Sequence, residues 1–171
     1  MSDYQHLIHE FAPVYNKDSK ILILGTFPSV KSRAQNFYYG HPQNRFWKVL
    51  AYITKEPIPT TIEEKQKLLL SHHIALWDVI QSCEIIGSSD SSIRNVVPAD
   101  IPRLLPQTSV TAIFGNGNKA CHLFQKYTLP ALSHVSNLQA IENLPSTSPA
   151  NASWSLERLC ACWQEKLCPY F

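Results

Sequence analysis

The sequence predicts an α/β fold, a three-layer α/β/α arrangement around a central four-stranded parallel sheet, with residues 1–171 forming a single domain. Short apolar runs alternate with longer helical patterns, the order in which parallel sheets are built. Two of those runs, Ile21 to Leu24 and Ser109 to Phe114, stop at glycines. Tight turns of small polar residues follow apolar runs near both ends, in Gly25-Thr26-Phe27-Pro28 and in Leu144-Pro145-Ser146-Thr147-Ser148-Pro149-Ala150-Asn151. Loops of that kind meet at the carboxyl edge of a parallel sheet, where open α/β folds assemble their sites.

The composition suits a packed globule. Hydrophobic residues make up 44% of the chain and charged residues 16%, which excludes a disordered binder. The formal charge of +2 permits nucleic-acid binding without requiring it, because a local cluster of basic groups matters more than the sum. No run approaches the roughly 20 apolar residues of a membrane span, and the polar start Met1-Ser2-Asp3-Tyr4-Gln5-His6 does not resemble a secretory signal. A cytoplasmic location with no membrane partner is expected. Five cysteines without a paired Cys-x-x-Cys suit reduced thiols; Cys160, Cys162 and Cys168 lack a fourth thiol nearby, and no metal site is expected.

Taken in order, residues 3–12 predict a short helix, with Leu7, Ile8 and Phe11 as its apolar stripe before Pro13. Lys20 to Leu24 predicts a strand covered on both faces, followed by a long loop from Thr26 to Gln43. Asn44 to Ile53 has helical spacing, and Thr61 with Glu64 offers a capping box opening a helix through Leu70. Ile74 to Ile80 predicts a strand or buried turn, Glu84 to Asn95 a second polar loop, and Pro98 to Leu105 a short helix. A strand over Ser109 to Phe114 precedes a helix over Ala120 to Tyr127. Leu132 to Leu138 predicts the last strand, and Ser153 to Leu167 the last helix.

Gly25-Thr26-Phe27-Pro28 lacks the glycine spacing of dinucleotide sites and the Lys-Ser/Thr of nucleoside triphosphate loops. Asn36-Phe37-Tyr38-Tyr39-Gly40-His41-Pro42-Gln43-Asn44-Arg45-Phe46-Trp47 instead gathers aromatics, a histidine and amides. Such a mixture can stack a flat base and read its edge.

Those segments, with Trp77-Asp78-Val79, Gly87-Ser88-x-Asp90-x-x-Ile93, Phe114-x-Asn116-Gly117 and Leu144 to Asn151, resemble the hypoxanthine (deoxyinosine) DNA glycosylase branch of the uracil-DNA glycosylase superfamily over roughly residues 20–165. The resemblance implies a monofunctional enzyme that flips a deaminated base out of DNA and hydrolyses its N-glycosidic bond, with no cofactor and no obligate protein partner. It also implies association with the nucleoid while bound to DNA. Uracil-directed or mismatch-directed excision is the alternative within the fold, and a weakly catalytic damaged-DNA binder the alternative outside it. Thr26 and Pro28 stand where other branches place an acidic or amide residue, and Leu144 where the best-studied uracil enzymes place histidine.

The nearest carry-over for the water-positioning group is therefore Asn44, whose other reading is a helix cap; both roles can coexist. Thr26, Phe27, Tyr38, Tyr39 and Asn116 form the expected base pocket, with Phe27 and the tyrosines as stacking or walling groups. Asn116 either bonds the hypoxanthine edge or occupies a left-handed turn. His41, Lys119, Ser146, Thr147, Ser148 and Asn151 are the expected DNA contacts, the last four belonging otherwise to a rigid capped loop. Asp78 holds the pocket loops together or is an ordinary turn residue.

Overall fold

The computed structural model describes residues 3–87, 89–132, 138 and 140–171. Its centre is a parallel sheet formed by β2 (Ile21–Gly25), β3 (Ile74–Asp78), β6 (Ala112–Asn116) and β7 (Glu142–Leu144), in the order β3, β2, β6, β7. Every residue of β2 and β3 is buried, so continuous apolar runs replace alternation there. Because the strands are parallel, their carboxyl ends share one edge. The register sets Gly25 beside Asp78 and Asn116 beside Leu144, and these positions launch the loops of the site.

Helices cover the sheet. α2 (Phe46–Thr54) packs on α7 (Leu156–Leu167), where Phe46 meets Trp163 edge to face with centroids 5.9 Å apart. α3 (Ile62–Ser71) lies against β3, and α5 (Asn118–Leu123) against β6 and β7. The predicted capping box is present: the Thr61 hydroxyl accepts the Glu64 N–H, and the Glu64 carboxylate accepts the Thr61 N–H. Buried side chains from these elements form one connected hydrophobic core.

Several expectations are corrected. Residues 3–12 form no helix but contain β1 (Gln5–Ile8), which joins β4 (Ile80–Ile85) and β5 (Arg94–Pro98) in a second, antiparallel sheet. Leu7 packs on the core whereas Ile8 is exposed, so a one-sided strand paired to β4 prevails over the local helical spacing. The polar loop expected from Glu84 is largely the turn of the β4–β5 hairpin; Ser88 within it lies outside the described residues. Ile74 to Ile80 is divided between β3 and the start of β4.

The long loop after β2 contains α1 (Val30–Gln35), capped by Ser29 and closed by Asn36 in the left-handed conformation. The helix expected from Pro98 shortens to α4 (Ile101–Leu104), capped by Asp100, while Pro98 ends β5. α5 begins before Ala120 and continues through a π-helical turn over Phe124–Thr128 into α6 (Leu129–Leu132). Leu132 is thus helical; residues 133–137 of the strand expected there lie outside the described residues, and β7 is the fourth strand of the sheet. No helix of the described residues is long and apolar enough to cross a membrane.

Candidate active site

The loops after β2, β3, β6 and β7 enclose a cavity of about 310 Å³, near the lower end of the range for small-ligand sites. Gly25, Thr26, Phe27, Tyr38, Tyr39, His41, Asn44, Asp78, Asn116 and the Ser146–Pro149 segment all line it. A second cleft of about 550 Å³ adjoins it, bounded by Asn116 to Lys119 and by the loop from Asn143 to Asn151. Two stretches far apart in sequence therefore face one space.

A line of hydrogen bonds ties them together. Asn116 Nδ2 donates to Thr147 Oγ1 at 3.0 Å, the Thr147 N–H donates to Asn116 Oδ1 at 3.0 Å, and the Thr147 hydroxyl donates to Asn44 Oδ1 at 2.9 Å. Asn44 Oδ1 also accepts the Phe46 N–H at 2.9 Å, so the residue has its turn role at the start of α2 while facing the cavity. Thr147 is completely buried. Its hydroxyl is a bridge between the two asparagines, which corrects its expected role as a phosphate contact.

Arg45 fixes the same loop from below, and nothing in its sequence context singled it out. Its guanidinium donates to the carbonyls of Ser148 at 2.9 Å, Asn151 at 3.1 Å and Trp154, and its Nε donates to Thr147 O at 3.4 Å. The Arg45 N–H donates to Thr147 O as well, at 3.1 Å. A planar fork of donors suits a loop that turns several carbonyls inward. Within the loop, the Ser146 hydroxyl accepts the Ser148 N–H, the Ser148 hydroxyl accepts the Ala150 N–H, and Asn151 Nδ2 donates to Ser146 O. Pro149 and Ala150 form the exposed tip.

At the floor, His9 Nε2 donates to Asp78 Oδ2 at 2.8 Å, both side chains being buried. This pair fastens the segment after β1 to the end of β3, so Asp78 does join elements around the pocket. Tyr39 stacks on Phe46 with centroids 4.1 Å apart, and its hydroxyl is enclosed with no hydrogen-bond partner. Burial, and then the negative charge of Asp78, push the Tyr39 phenol far above its ordinary range; the nearby Asn116 amide tempers that rise without reaching hydrogen-bond geometry. Tyr38 is raised for the same two leading reasons.

The remaining expected residues separate by exposure. Phe27 is half-buried on the cavity wall, edge-on to His9 with centroids 6.1 Å apart, and presents stacking surface. Tyr38 is buried, donates to Ala12 O at 2.9 Å and packs against Phe11 and Phe37, so it walls the pocket from behind. His41 lines the cavity while its Nδ1 accepts the Gln43 N–H, and Lys119 borders the second cleft. The left-handed conformation considered for Asn116 belongs instead to Gly117, at φ +98°, where an added Cβ would lie 3.2 Å from Ser146 Cβ. Leu144 is completely buried in β7. No cluster of three metal-ligating side chains forms among the described residues.

A cavity at the carboxyl edge of a parallel sheet, bounded by amides and aromatics and flanked by a stapled loop, defines a class of α/β protein that takes in a flat polar group. The sequence model of the uracil DNA glycosylase superfamily matches residues 12–166, and the chain belongs to that superfamily. A Methanosarcina acetivorans protein named hypoxanthine DNA glycosylase is 32% identical over 150 residues, covering 86% of this chain and 90% of the relative. A Methanosarcina barkeri protein of the same name is 35% identical over 86 residues, 50% of this chain and 54% of that one. The solution NMR structure of a candidate uracil DNA glycosylase from Methanosarcina acetivorans superimposes with a TM-score of 0.73 at 31% identity, covering 91% of this chain and 95% of that one. The α/β architecture is that of the superfamily, and the chain is a DNA glycosylase by descent.

Proposed function

We propose that this chain is a monofunctional glycosylase that flips hypoxanthine out of deoxyinosine-containing DNA and hydrolyses its N-glycosidic bond, leaving an abasic site. The observation that carries this reading is the line of bonds from Asn116 through Thr147 to Asn44, which sets an amide at the cavity wall with both of its supports fixed. The names of the two Methanosarcina relatives support hypoxanthine as the base.

Asn44 positions the attacking water. In the free chain its Oδ1 accepts the Thr147 hydroxyl, whose single proton sits on a rotor; turning that rotor releases a lone pair to hold a water proton. An amide is too weak a base to deprotonate water, so the path is dissociative: the C1′–N9 electron pair leaves with the purine before the water oxygen bonds C1′. The proton released by the water passes to the departing base or to solvent. Phe27 stacks on the flipped ring, and Ser146, Ser148, Asn151, His41 and Lys119 meet the strand around it.

The test is single-turnover release from matched duplexes carrying deoxyinosine, deoxyuridine or only normal bases, with strands examined before and after alkali. Preferential hypoxanthine release with breaks only after alkali is expected. Asn44→Ala should lower that rate at least about 100-fold while lesion binding persists. Near-wild-type cleavage would remove Asn44 from the chemistry, faster uracil release would reassign the substrate, and breaks without alkali would overturn the monofunctional reading.

A further inference from the structure

A nucleotide that leaves a duplex leaves a gap, and the stack on either side can close over it or draw the base back. An apolar side chain that enters the gap packs where the base had packed and holds it open. Such a wedge has to be exposed and set at the mouth of the base pocket. It must also stand on fixed backbone, so that no ordering cost is added when it enters.

Val30 meets those terms. Of the large apolar side chains that stand exposed among the described residues, it alone lines the cavity, and at 53% exposure it forms part of the lip. Lys31, next to it, also lines the cavity and is exposed, a cation placed for an adjacent phosphate. Both belong to α1, which is held along its length. The Ser29 hydroxyl accepts the Ser32 N–H at 3.2 Å, and the buried Ser32 hydroxyl accepts the Gly40 N–H at 3.0 Å. Gln35 Nε2 donates to Gly40 O at 3.3 Å, and a Cβ added at Gly40 would lie 2.6 Å from Gln35 Oε1, so helix and following segment are in close contact. The loop after β7 offers less on its side of the cavity. Its tip is Pro149 and Ala150, the Ser146 and Ser148 hydroxyls are turned onto its own backbone, and Arg45 pins its carbonyls, so no long apolar side chain rises from it.

We infer that Val30 enters the gap left by the flipped nucleotide and packs against the neighbouring base pair, while Lys31 meets the phosphate beside it. This rests on the glycosylase reading for the flipping of a base, but concerns holding the duplex open and not bond cleavage. A side chain as short as that of valine fills only part of the space a purine vacates, so it follows the opening and does not force it. Single-stranded DNA has no stack to close, and the contribution of Val30 therefore belongs to duplex substrates.

The test measures single-turnover release of hypoxanthine from one sequence presented as a duplex, with deoxycytidine opposite deoxyinosine, and as a single strand. A 2-aminopurine beside the lesion reports unstacking on binding by its fluorescence. Val30 is exposed, so Val30→Ala should keep the thermal midpoint. It should lower the ratio of duplex to single-strand release about 10-fold and dim the 2-aminopurine signal, whereas Val30→Leu should preserve both. Equal losses on the two strand forms would make Val30 a part of the cavity wall and overturn the inference, as would an unchanged ratio. A ratio lowered instead by Pro149→Ala would overturn it in favour of the loop after β7. Absent release, with a 2-aminopurine signal that Val30→Ala abolishes, overturns the glycosylase reading and upholds the wedge. A wild-type chain with neither release nor signal overturns both.

Discussion

Tyr38 and Tyr39 occupy adjacent positions yet do different things. Tyr38 spends its hydroxyl on Ala12 O inside an aromatic cluster, whereas Tyr39 keeps its hydroxyl unpartnered beside Asp78. Both phenols are raised above the ordinary value of 10.0, so the folded chain retains protons that the unfolded chain releases near that pH. Stability is therefore fully present below about pH 10 and falls as pH rises beyond it. Urea midpoints measured from about pH 8 to 11 should decline at the alkaline end, and Tyr39→Phe should decline less; parallel curves would contradict a buried, protonated Tyr39. Asn44 and Asn116 were legible because each sits in a short cluster of aromatics, glycines and amides. Thr147 was legible as a site residue but not as their bridge, since its partners lie 103 and 31 residues away. His9 gave no signal at all: an isolated histidine beside Glu10 and Phe11 acquires its meaning only from Asp78, 69 positions on.

Between elements, Arg45 is the joint that matters most to the site. It begins α2 and ends on the carbonyls of a loop that follows β7, so removing it leaves several acceptors without donors. Arg45→Ala should destabilise the chain by about 2 kcal/mol, a fall in Tm of about 6 °C, and should slow excision as well. Arg45→Lys should recover little, because a point charge cannot reproduce the fork. An unchanged Tm would show that the staple is dispensable. β2, α2, α3 and α7 could be read from the sequence because periodicity and capping act locally, as at Thr61 and Glu64. The antiparallel sheet could not. β1 mixes exposed and half-buried residues, and its partner β4 lies some 75 positions away, so nothing local distinguishes it from an amphipathic turn.

Over the whole molecule, a formal charge of +2 cannot create a strong general attraction for DNA. Affinity must come from a few cations near the clefts, among them Lys31 at the cavity and Lys119 at the adjoining cleft. The slope of log affinity against log salt should be shallow, and Lys119→Gln should reduce it by about 1 without changing base preference. An unchanged slope would place Lys119 away from the phosphates. The buried strands β2 and β3 carry continuous apolar runs and so stood out in the sequence, whereas the fourth strand was expected at Leu132 to Leu138 and lies at Glu142–Leu144, a short stretch with two exposed polar residues; the second sheet of β1, β4 and β5 depends on pairings that only the folded chain displays.

The loop held by Arg45 is already folded before any strand arrives, its carbonyls fastened and its hydroxyls turned onto its own backbone. A repair protein interrogates a vast excess of sound positions for each damaged one. This loop does not have to condense at every stop, so its ordering entropy is absent from each encounter. The dwell time at a position is then set by how readily the nucleotide leaves the stack, and weakly paired lesions declare themselves by opening sooner.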